Sequence, residues 1–505
     1  MKKKYSITNI SEEIIKPIFA RTTNNALFRD ISFAPIDKHP AISTLTTTWT
    51  FVFCDLNASK LKSEAMKEAL SVHTLQHFPF LSGRISGTKE PVMRVGEEDS
   101  GVLWRDIDVL WHGAMGDKKT SPYSRKIEQR LRVLKYVEKT GLGNPRIPKG
   151  HGMAIQKTNI RMQGRKEEDG EDGEDDVVLL TFSVRHYVAD GESMRLFLDF
   201  FTSDLAHVLR EENRKGVMLD LPTVERTSFF KVTNVNDKKT EDFIAIPDIV
   251  EHGCFNIKPT RAIWGVFVGA LKILTTRTTR VKIHLTSAWI EKMKIRTSER
   301  EPIVDFIVDD DFVSTNDLAT AFVWNLCASL KKKKKKEKKS FASIAINHRN
   351  YGTLPKHYFG NASFSHIVAC DDDDNASVEK RAREVRRSLG TFREADPRFE
   401  EKKRKIQRAF AEFDNISFRE HAVSFHCMLN KLDVIVSNWS TFGFFDYEFG
   451  NNVKASHLMP SVSPSKFNAA VIIPEINNDG CIVVVEIATS QIKKAKKLIN
   501  EMLAI

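Results

Sequence analysis

Three residues carry the clearest chemical potential in this chain. His186, Asp190 and Gly191 form an H-x-x-x-D-G arrangement within TFSVRHYVADGESMRLFLDFF, residues 181–201. A neutral imidazole can take up a proton near physiological pH, which makes His186 a candidate general base. Asp190 lies close enough in sequence to turn back and fix the local backbone or an arginine. Gly191 is expected to adopt a backbone angle that most residues resist.

The flanking residues must position that histidine. Val177–Leu180, Thr181, Phe182 and Val184 favour a strand that ends at His186. Met194, Phe197, Leu198, Phe201 and Leu205 recur at helical spacing just after Gly191. A strand-to-turn junction on a rigid scaffold is a common place for a catalytic side chain. Strand and helix patterns alternate elsewhere too. Leu61, Ala65, Ala69, Val72 and Leu75 form one helical stripe over residues 61–77. STNDLATAFVWNLCASL opens on a capping box, Ser314 followed by Asp317, with Leu318, Phe322, Leu326 and Leu330 as its stripe. FASIAIN (341–347) and CIVVVEI (481–487) read as strands, the latter buried on both faces. Ile492, Ala495, Leu498, Ile499 and Met502 mark a closing helix. The layout is α/β.

The 505 residues exceed what one core usually supports, so two domains are expected. The polar, aperiodic stretch near 216–242 is expected to be an interdomain crossover between residues 1–215 and 243–505. With 41% hydrophobic and 28% charged residues the chain is too apolar to be disordered. No apolar run is long enough to span a membrane. The longest, AIWGVFVGALKIL at 262–274, is expected to be a buried helix or channel wall rather than a membrane-lying one. The N-terminus has a basic start but no apolar h-region, so no secretory signal is expected.

Cys54, Cys254, Cys327, Cys370, Cys427 and Cys481 are scattered, with no C-x-x-C pair. That argues against a disulfide framework or a zinc site and suits a cytoplasmic setting. His348, His357 and His366 are irregularly spaced and are expected not to be metal ligands. The net charge of +11 is partly local, in the run Lys331–Lys336. No aromatic residues interleave that run, and it reads as a solvated loop; no nucleic-acid partner is expected. EEDGEDGEDD at 167–176 reads as an acidic hairpin loop, and Asp371–Asp374 as a shorter charge cluster.

Several landmarks follow one another in a fixed order. They are ISFAPID (31–37), HFPFLSGRI (77–85), the H-x-x-x-D-G at 186–191, STNDLATAFVWN (314–325), INHRNYGTLPKHYFGNA (346–362) and SNWSTFGFFDYEFG (437–450). The ordered set resembles the BAHD acyl-CoA-dependent acyltransferases, its divergent fungal and protist members more than the plant ones. The resemblance covers nearly the whole chain. It implies two chloramphenicol-acetyltransferase-like domains with a solvent channel between them. It implies His186 as catalytic base and Asp190 as a structural residue pointing away from the channel. The family's D-F-G-W-G signature corresponds here to Glu448-Phe449-Gly450-Asn451-Asn452, so aspartate has become glutamate and the tryptophan and last glycine are lost. The resemblance pairs that carboxylate with Arg349.

The implied activity moves an acyl group from acyl-CoA, as co-substrate, to a small-molecule alcohol or amine, as in secondary metabolism. The expected enzyme is a monomer without permanent cofactor or metal. Asn438 and Asn451 have the chemistry to donate to an oxyanion, although asparagine more often caps turns. Ser314 and Thr315 open a helix whose amides could face CoA phosphates, although simple capping is the commoner reason for such residues. Two alternatives remain. Condensation-type domains acting on carrier-protein thioesters share H-x-x-x-D-G, but usually carry a second histidine where this chain has Arg185. A non-catalytic homologue with a binding role would explain the altered second motif.

Overall fold

The computed structural model describes residues 5–18, 29–33, 45–54, 60–86, 92–95, 100–112, 130, 132–137, 144–162, 177–209, 220–223, 258–298, 312–331, 339–351, 354–371, 377–411, 418–463 and 468–504. The acidic insert, the lysines after Lys331, Asp372–Asp374, Cys254 and most of the crossover lie outside these residues, as does the part of the first landmark beyond Phe33.

Two six-stranded mixed sheets dominate the architecture. The first runs Tyr5–Ile15, Val102–Trp111, Met153–Met162, Val177–Arg185, Thr46–Cys54 and His457–Ser463 in spatial order. The second runs Ser363–Asp371, Lys339–Asn347, Val434–Asn438, Ala469–Pro474, Cys481–Ala488 and Thr278–Leu285. His457–Ser463 belongs to the C-terminal half of the chain yet pairs antiparallel with Thr46–Cys54, with Pro460 opposite Trp49. A division at 216–242 leaves this crossing strand out. It pairs the backbone groups of Thr46–Cys54 and becomes the edge strand of the first sheet itself.

The strand Val177–Arg185 is central, with every residue through Val184 buried, and the helix Gly191–Val208 packs against its sheet. Phe182, Phe197 and Phe201 meet there at centroid distances of 5.7–6.1 Å. The capping box is present: Ser314 Oγ accepts from the Asp317 amide at 3.2 Å, and Asp317 Oδ2 accepts from the Ser314 amide at 2.8 Å. The helix it starts, Thr315–Leu330, is buried nearly all round rather than on one stripe.

Residues 63–77 depart from a regular helix. Ser63–Glu68 passes into a π-helical turn at Ala69–Thr74 before Leu75–His77. The wider turn rotates the stripe, so Met66 and Leu70 are buried while Ala65 and Val72 are half-buried.

The helix Pro259–Thr275 also differs from expectation. Its inner face carries Gly265 and Gly269, where an added Cβ would fall 1.9 Å from His426 Nδ1 and 2.8 Å from Leu429 Cδ1. That close docking on the helix Phe418–Asn430 buries Ala262 and Gly269 alone among its described side-chain positions. Trp264 is 65% and Phe267 59% exposed. The segment is therefore neither a buried helix nor an enclosed wall.

Lys331 is likewise no solvated loop residue. Its Nζ lies 2.9 Å from the buried Asp433 carboxylate and 3.0 Å from the Lys431 carbonyl oxygen, at the end of the capping-box helix.

Candidate active site

His186 is the first residue after its strand. Its amide donates to the Leu45 carbonyl at 2.9 Å, and its own carbonyl accepts from Asn361 Nδ2 at 2.7 Å. The backbone is thus pinned from both sides, by residues far apart in sequence. The ring Nδ1 is buried with no hydrogen-bond partner, while the residue as a whole is only half-buried. Nε2 makes no hydrogen bond to the described residues.

Asp190 occupies the N-cap of the helix Gly191–Val208 and accepts from the Ser193 amide at 2.9 Å. Its carboxylate also receives two charge-assisted bonds from Arg349, each 2.9 Å, as well as the Ala362 amide at 2.9 Å and the Ser363 hydroxyl at 3.2 Å. Burial alone pushes this carboxyl up. The Arg349 charge and the donated hydrogen bonds outweigh that and hold it below the ordinary carboxylate range. The Asp190 carboxylate is thus fully engaged within this cage.

Arg349 uses its whole guanidinium here. Nε donates to the Tyr358 carbonyl at 2.8 Å, Nη1 to Asp190 and Asn347 Oδ1, and Nη2 to Asp190, Ser193 Oγ and the Gly360 carbonyl. The expected partnership with Glu448 is corrected accordingly. Every donor of Arg349 is committed to the segments 190–193 and 347–360, whereas Glu448 faces Lys454 at 3.5 Å across a short hairpin. Arginine's planar fork matches one carboxylate bidentately, and Asp190 takes it.

Gly191 has a different role from the one expected. It does not adopt a left-handed angle. An added Cβ would lie 3.1 Å from Phe442 and 3.3 Å from the Trp439 indole nitrogen. The close approach of the 439–442 loop leaves little room for a side chain there.

The second motif is a tight hairpin tip. Gly450 has φ +85°, and an added Cβ there would lie 2.3 Å from Leu209. Asn451 and Asn452 follow at φ 51° and 57°, and the Val453 amide donates to the Gly450 carbonyl at 2.9 Å. Positive φ at both central residues makes a type I′ turn, and asparagine is among the few side chains that tolerate it. The turn thus survives the loss of the tryptophan and the last glycine. Phe449 anchors it in the first core, 5.0 Å from Phe51 and 5.3 Å from Phe53. Tyr447 ties the same loop to the helix after His186 through a 2.9 Å bond to Asp199. Burial, and then the Asp199 charge, push that phenol well above its usual range.

The remaining candidates hold structure. Asn438 donates to Asn316 Oδ1 at 2.9 Å and accepts from the Ser440 amide at 2.9 Å, so its amide is already engaged at both ends. Asn451 sits exposed in the hairpin turn. Ser314 caps its helix, and Thr315 is the first residue within it. His348 packs against Phe364 and Phe392, His366 bonds Ser388 Oγ at 2.7 Å, and His357 lies 3.0 Å from Asp220. Among the described residues no group of histidine, cysteine and acidic side chains could hold a metal ion. Arg185, in place of a second histidine, bonds the carbonyls of Ile147, Pro148 and His151. Sequence reasoning passed over Ser193 and Asn361. Asn361 stands in the quoted Y-F-G-N run, and Ser193 lies three residues past the motif aspartate, so both were within sight.

A catalytic-motif histidine on a strand-to-helix turn, locked by a second half of similar architecture, defines a chloramphenicol-acetyltransferase-like protein. The family model "Transferase family" matches residues 174–502, and the chain belongs to that family, the BAHD acyltransferases. No curated protein sequence matches it significantly. Among solved structures, vinorine synthase is similar over 98% of both chains, with 15% identity and a TM-score of 0.61. Fusarium graminearum TRI101, solved with coenzyme A and deoxynivalenol, is similar over 93% of this chain and 97% of its own, with 13% identity and a TM-score of 0.64. F. sporotrichioides TRI101, solved with coenzyme A and T-2, aligns at 14% identity over 92% of this chain and 96% of its own, with a TM-score of 0.64. At such identities the likeness is one of fold.

Proposed function

We propose that the protein transfers an acyl group from acyl-CoA to a hydroxyl or amine of a small molecule, with His186 as general base. Family membership supports the acyl-transfer chemistry. The observation that carries the base assignment is His186 itself: a backbone clamped by Leu45 and Asn361, a sealed Nδ1, and Nε2 without a hydrogen-bond partner among the described residues.

In this reading Nδ1 carries the ring proton and the Nε2 lone pair takes the proton of the acceptor O–H or N–H. The acceptor atom attacks the thioester carbonyl, giving a tetrahedral intermediate. The C–S bond then breaks, and the imidazolium returns its proton to the departing CoA sulfur. A thioester is already activated, so no covalent enzyme intermediate is needed. Positioned general-base catalysis contributes about 10²–10⁴-fold. Acyl-CoA is then a co-substrate, and the acceptor class follows the bound small molecules of the TRI101 structures by analogy only. Neither Asn438 nor Ser314 is assigned a substrate contact, since each already holds local structure through its side chain.

The condensation-type alternative is disfavoured by Arg185, whose guanidinium is folded into three backbone carbonyls. The test is thiol release from a panel of acyl-CoAs with pooled alcohols and amines. His186→Ala should lower kcat by about 10²–10⁴-fold, with melting temperature and CoA binding unchanged. A variant that keeps more than about a tenth of wild-type kcat removes the general-base role. Wild-type protein that binds CoA without turning over any acyl-CoA would favour the binding role instead.

A further inference from the structure

The helix Pro259–Thr275 has one face committed to the protein and one facing out. Ile263, Trp264, Phe267, Val268 and Leu271 form the outward face, each between 42% and 65% exposed, and the Trp264 and Phe267 rings stack at 5.7 Å. Singly exposed apolar residues are ordinary, whereas a contiguous aromatic-centred stripe marks an interaction surface. The opposite face is fixed by the close approach of Gly265 and Gly269 to His426 and Leu429 and by a 3.1 Å bond from Asn430 Nδ2 to the Gly265 carbonyl. The helix is therefore held by the fold in one rotational setting, with its apolar stripe outward.

The segment that carries the stripe is basic, although Arg280 within it is paired with Glu486. Between Glu251 and Glu291 the sequence holds no acidic residue, but it holds Lys258, Arg261, Lys272, Arg277, Arg280 and Lys282. Lys258, Arg261 and Arg277, at the two ends of the helix, are exposed. Ile406, on the helix Phe399–Ala411, shares a small core with Ala262, and that helix carries five lysines and arginines against two glutamates.

We propose that this helix is an interfacial anchor that docks the protein on an anionic lipid bilayer. An apolar stripe with aromatic residues at its centre, flanked by lysine and arginine, is what lies in the headgroup boundary with its apolar face down. Acidic headgroups would meet the basic rim. No helix among the described residues is long and apolar enough to cross a membrane, and this one has its other face occupied, so it lies in the plane of the surface. Exposure of Trp264 and Phe267 to acyl chains supplies depth, and the surrounding cations supply headgroup selectivity.

The test is co-sedimentation of the full chain with phosphatidylserine-containing vesicles and with pure phosphatidylcholine vesicles. The wild type should bind the first more tightly, and raised salt should weaken binding. Trp264→Ser with Phe267→Ser should lower vesicle affinity by about tenfold or more, because two large side chains no longer enter the interface. Both positions are exposed, so thiol release from acyl-CoA should be unchanged in detergent-free buffer. Lys258, Arg261 and Arg277 replaced together by glutamine, a second variant that leaves the aromatic pair intact, should lose the preference for phosphatidylserine while keeping residual binding. Three results overturn the proposal. One is wild-type protein that remains in the supernatant with both vesicle types. Another is protection of Trp264 from a soluble quencher without lipid, which would mean that another part of the chain covers it. The third is a dimer that the serine variant dissociates, which would make a second copy the occupant. These readouts use no acyl transfer, so they fail or succeed apart from the enzymatic reading.

Discussion

The two motif carboxylates of this chain have opposite fates. Asp190 is 1% exposed and accepts hydrogen bonds from Arg349, Ser193, Ala362 and Ser363. Glu448 sits half-buried on a hairpin rung, 3.5 Å from a half-exposed lysine. One joins residues 159 positions apart in sequence; the other closes a hairpin between residues six positions apart, Glu448 and Lys454. The comparison separates a latch from a trim. A buried ion pair gains little net stability over a well-packed apolar pair, yet breaking it on one side strands a charge in a dry site. The Asp190–Arg349 pair is therefore best understood as fixing which surfaces of the two halves meet, which in turn fixes Asn361 against the His186 carbonyl.

The largest effect should come from the latch. Asp190→Ala or Arg349→Ala should each cost about 3–5 kcal/mol, because each leaves a buried charge uncompensated. The double variant should cost clearly less than the sum, and a double-mutant cycle by denaturant unfolding reads the coupling. Arg349→Ala with Glu448→Ala should be additive. Activity should fall along with stability, since Ala362 and the neighbouring Asn361 are set by the same cage. The latch also has a pH signature. The Asp190 carboxyl titrates lower in the folded protein than in the unfolded chain. Its contribution is therefore complete above the ordinary carboxylate range and lost as pH falls through its depressed folded value. Asp190→Asn should differ most from wild type in melting temperature near neutral pH. The gap should shrink below about pH 4, where the unfolded carboxyl binds its proton. A gap that is constant with pH would mean that the ion pair is not the source.

A middle effect belongs to Gly191, where the 439–442 loop packs closely against the turn after His186. Gly191→Ala places a methyl 3.1 Å from Phe442 and 3.3 Å from the Trp439 indole nitrogen. Those rings are packed with Trp49 and Phe444, at 4.8–6.5 Å between centroids, so they have little room to give. The expected cost is about 1–3 kcal/mol from overpacking. Since the backbone angle is ordinary there, no strain from φ adds to it. A neutral or stabilising alanine, as seen where space is open, would show that the loop yields freely.

Much of the local frame was legible in the chain. The strand before His186, the helix after Gly191 and the Ser314 capping box each depend on neighbours a few residues away, and periodicity and capping chemistry report such neighbours directly. The ordered landmarks identified the family. What could not be read were relations between distant residues. Arg349 is compatible with either carboxylate by charge, and only the path of the chain puts Asp190 in front of it. His457–Ser463 looks like any strand, and nothing in it says that it joins the sheet of the other half. For Gly191, sequence suggests an unusual angle because glycine permits one, whereas the structure uses its missing side chain. The outward stripe of Pro259–Thr275 was hidden for a related reason. Its apolar residues encircle the helix, and only the small size of Gly265 and Gly269 marks which face goes inward.

The smallest effect should come from the hairpin. Its altered sequence raised the question of whether the second motif is degraded. Its geometry answers with a type I′ turn in which Asn451 and Asn452 both take positive φ. Replacing Glu448 by glutamine keeps the side chain's length and removes only its charge opposite Lys454. The pair is 3.5 Å apart with a 49% exposed lysine, so the change should cost about 0–1 kcal/mol and vanish in high salt. Asn452→Ala should cost more than the charge change, because alanine resists the left-handed conformation by about 1–2 kcal/mol. Asn452→Gly should be close to neutral, since glycine adopts that angle freely. In all three, kcat should follow stability and not drop on its own, because the hairpin supports the loop through Phe449 and Tyr447 without reaching the reacting atoms. A stable Glu448→Gln variant with kcat lowered about tenfold or more would instead give this carboxylate a part in the chemistry, and the contrast between latch and trim would have to be withdrawn.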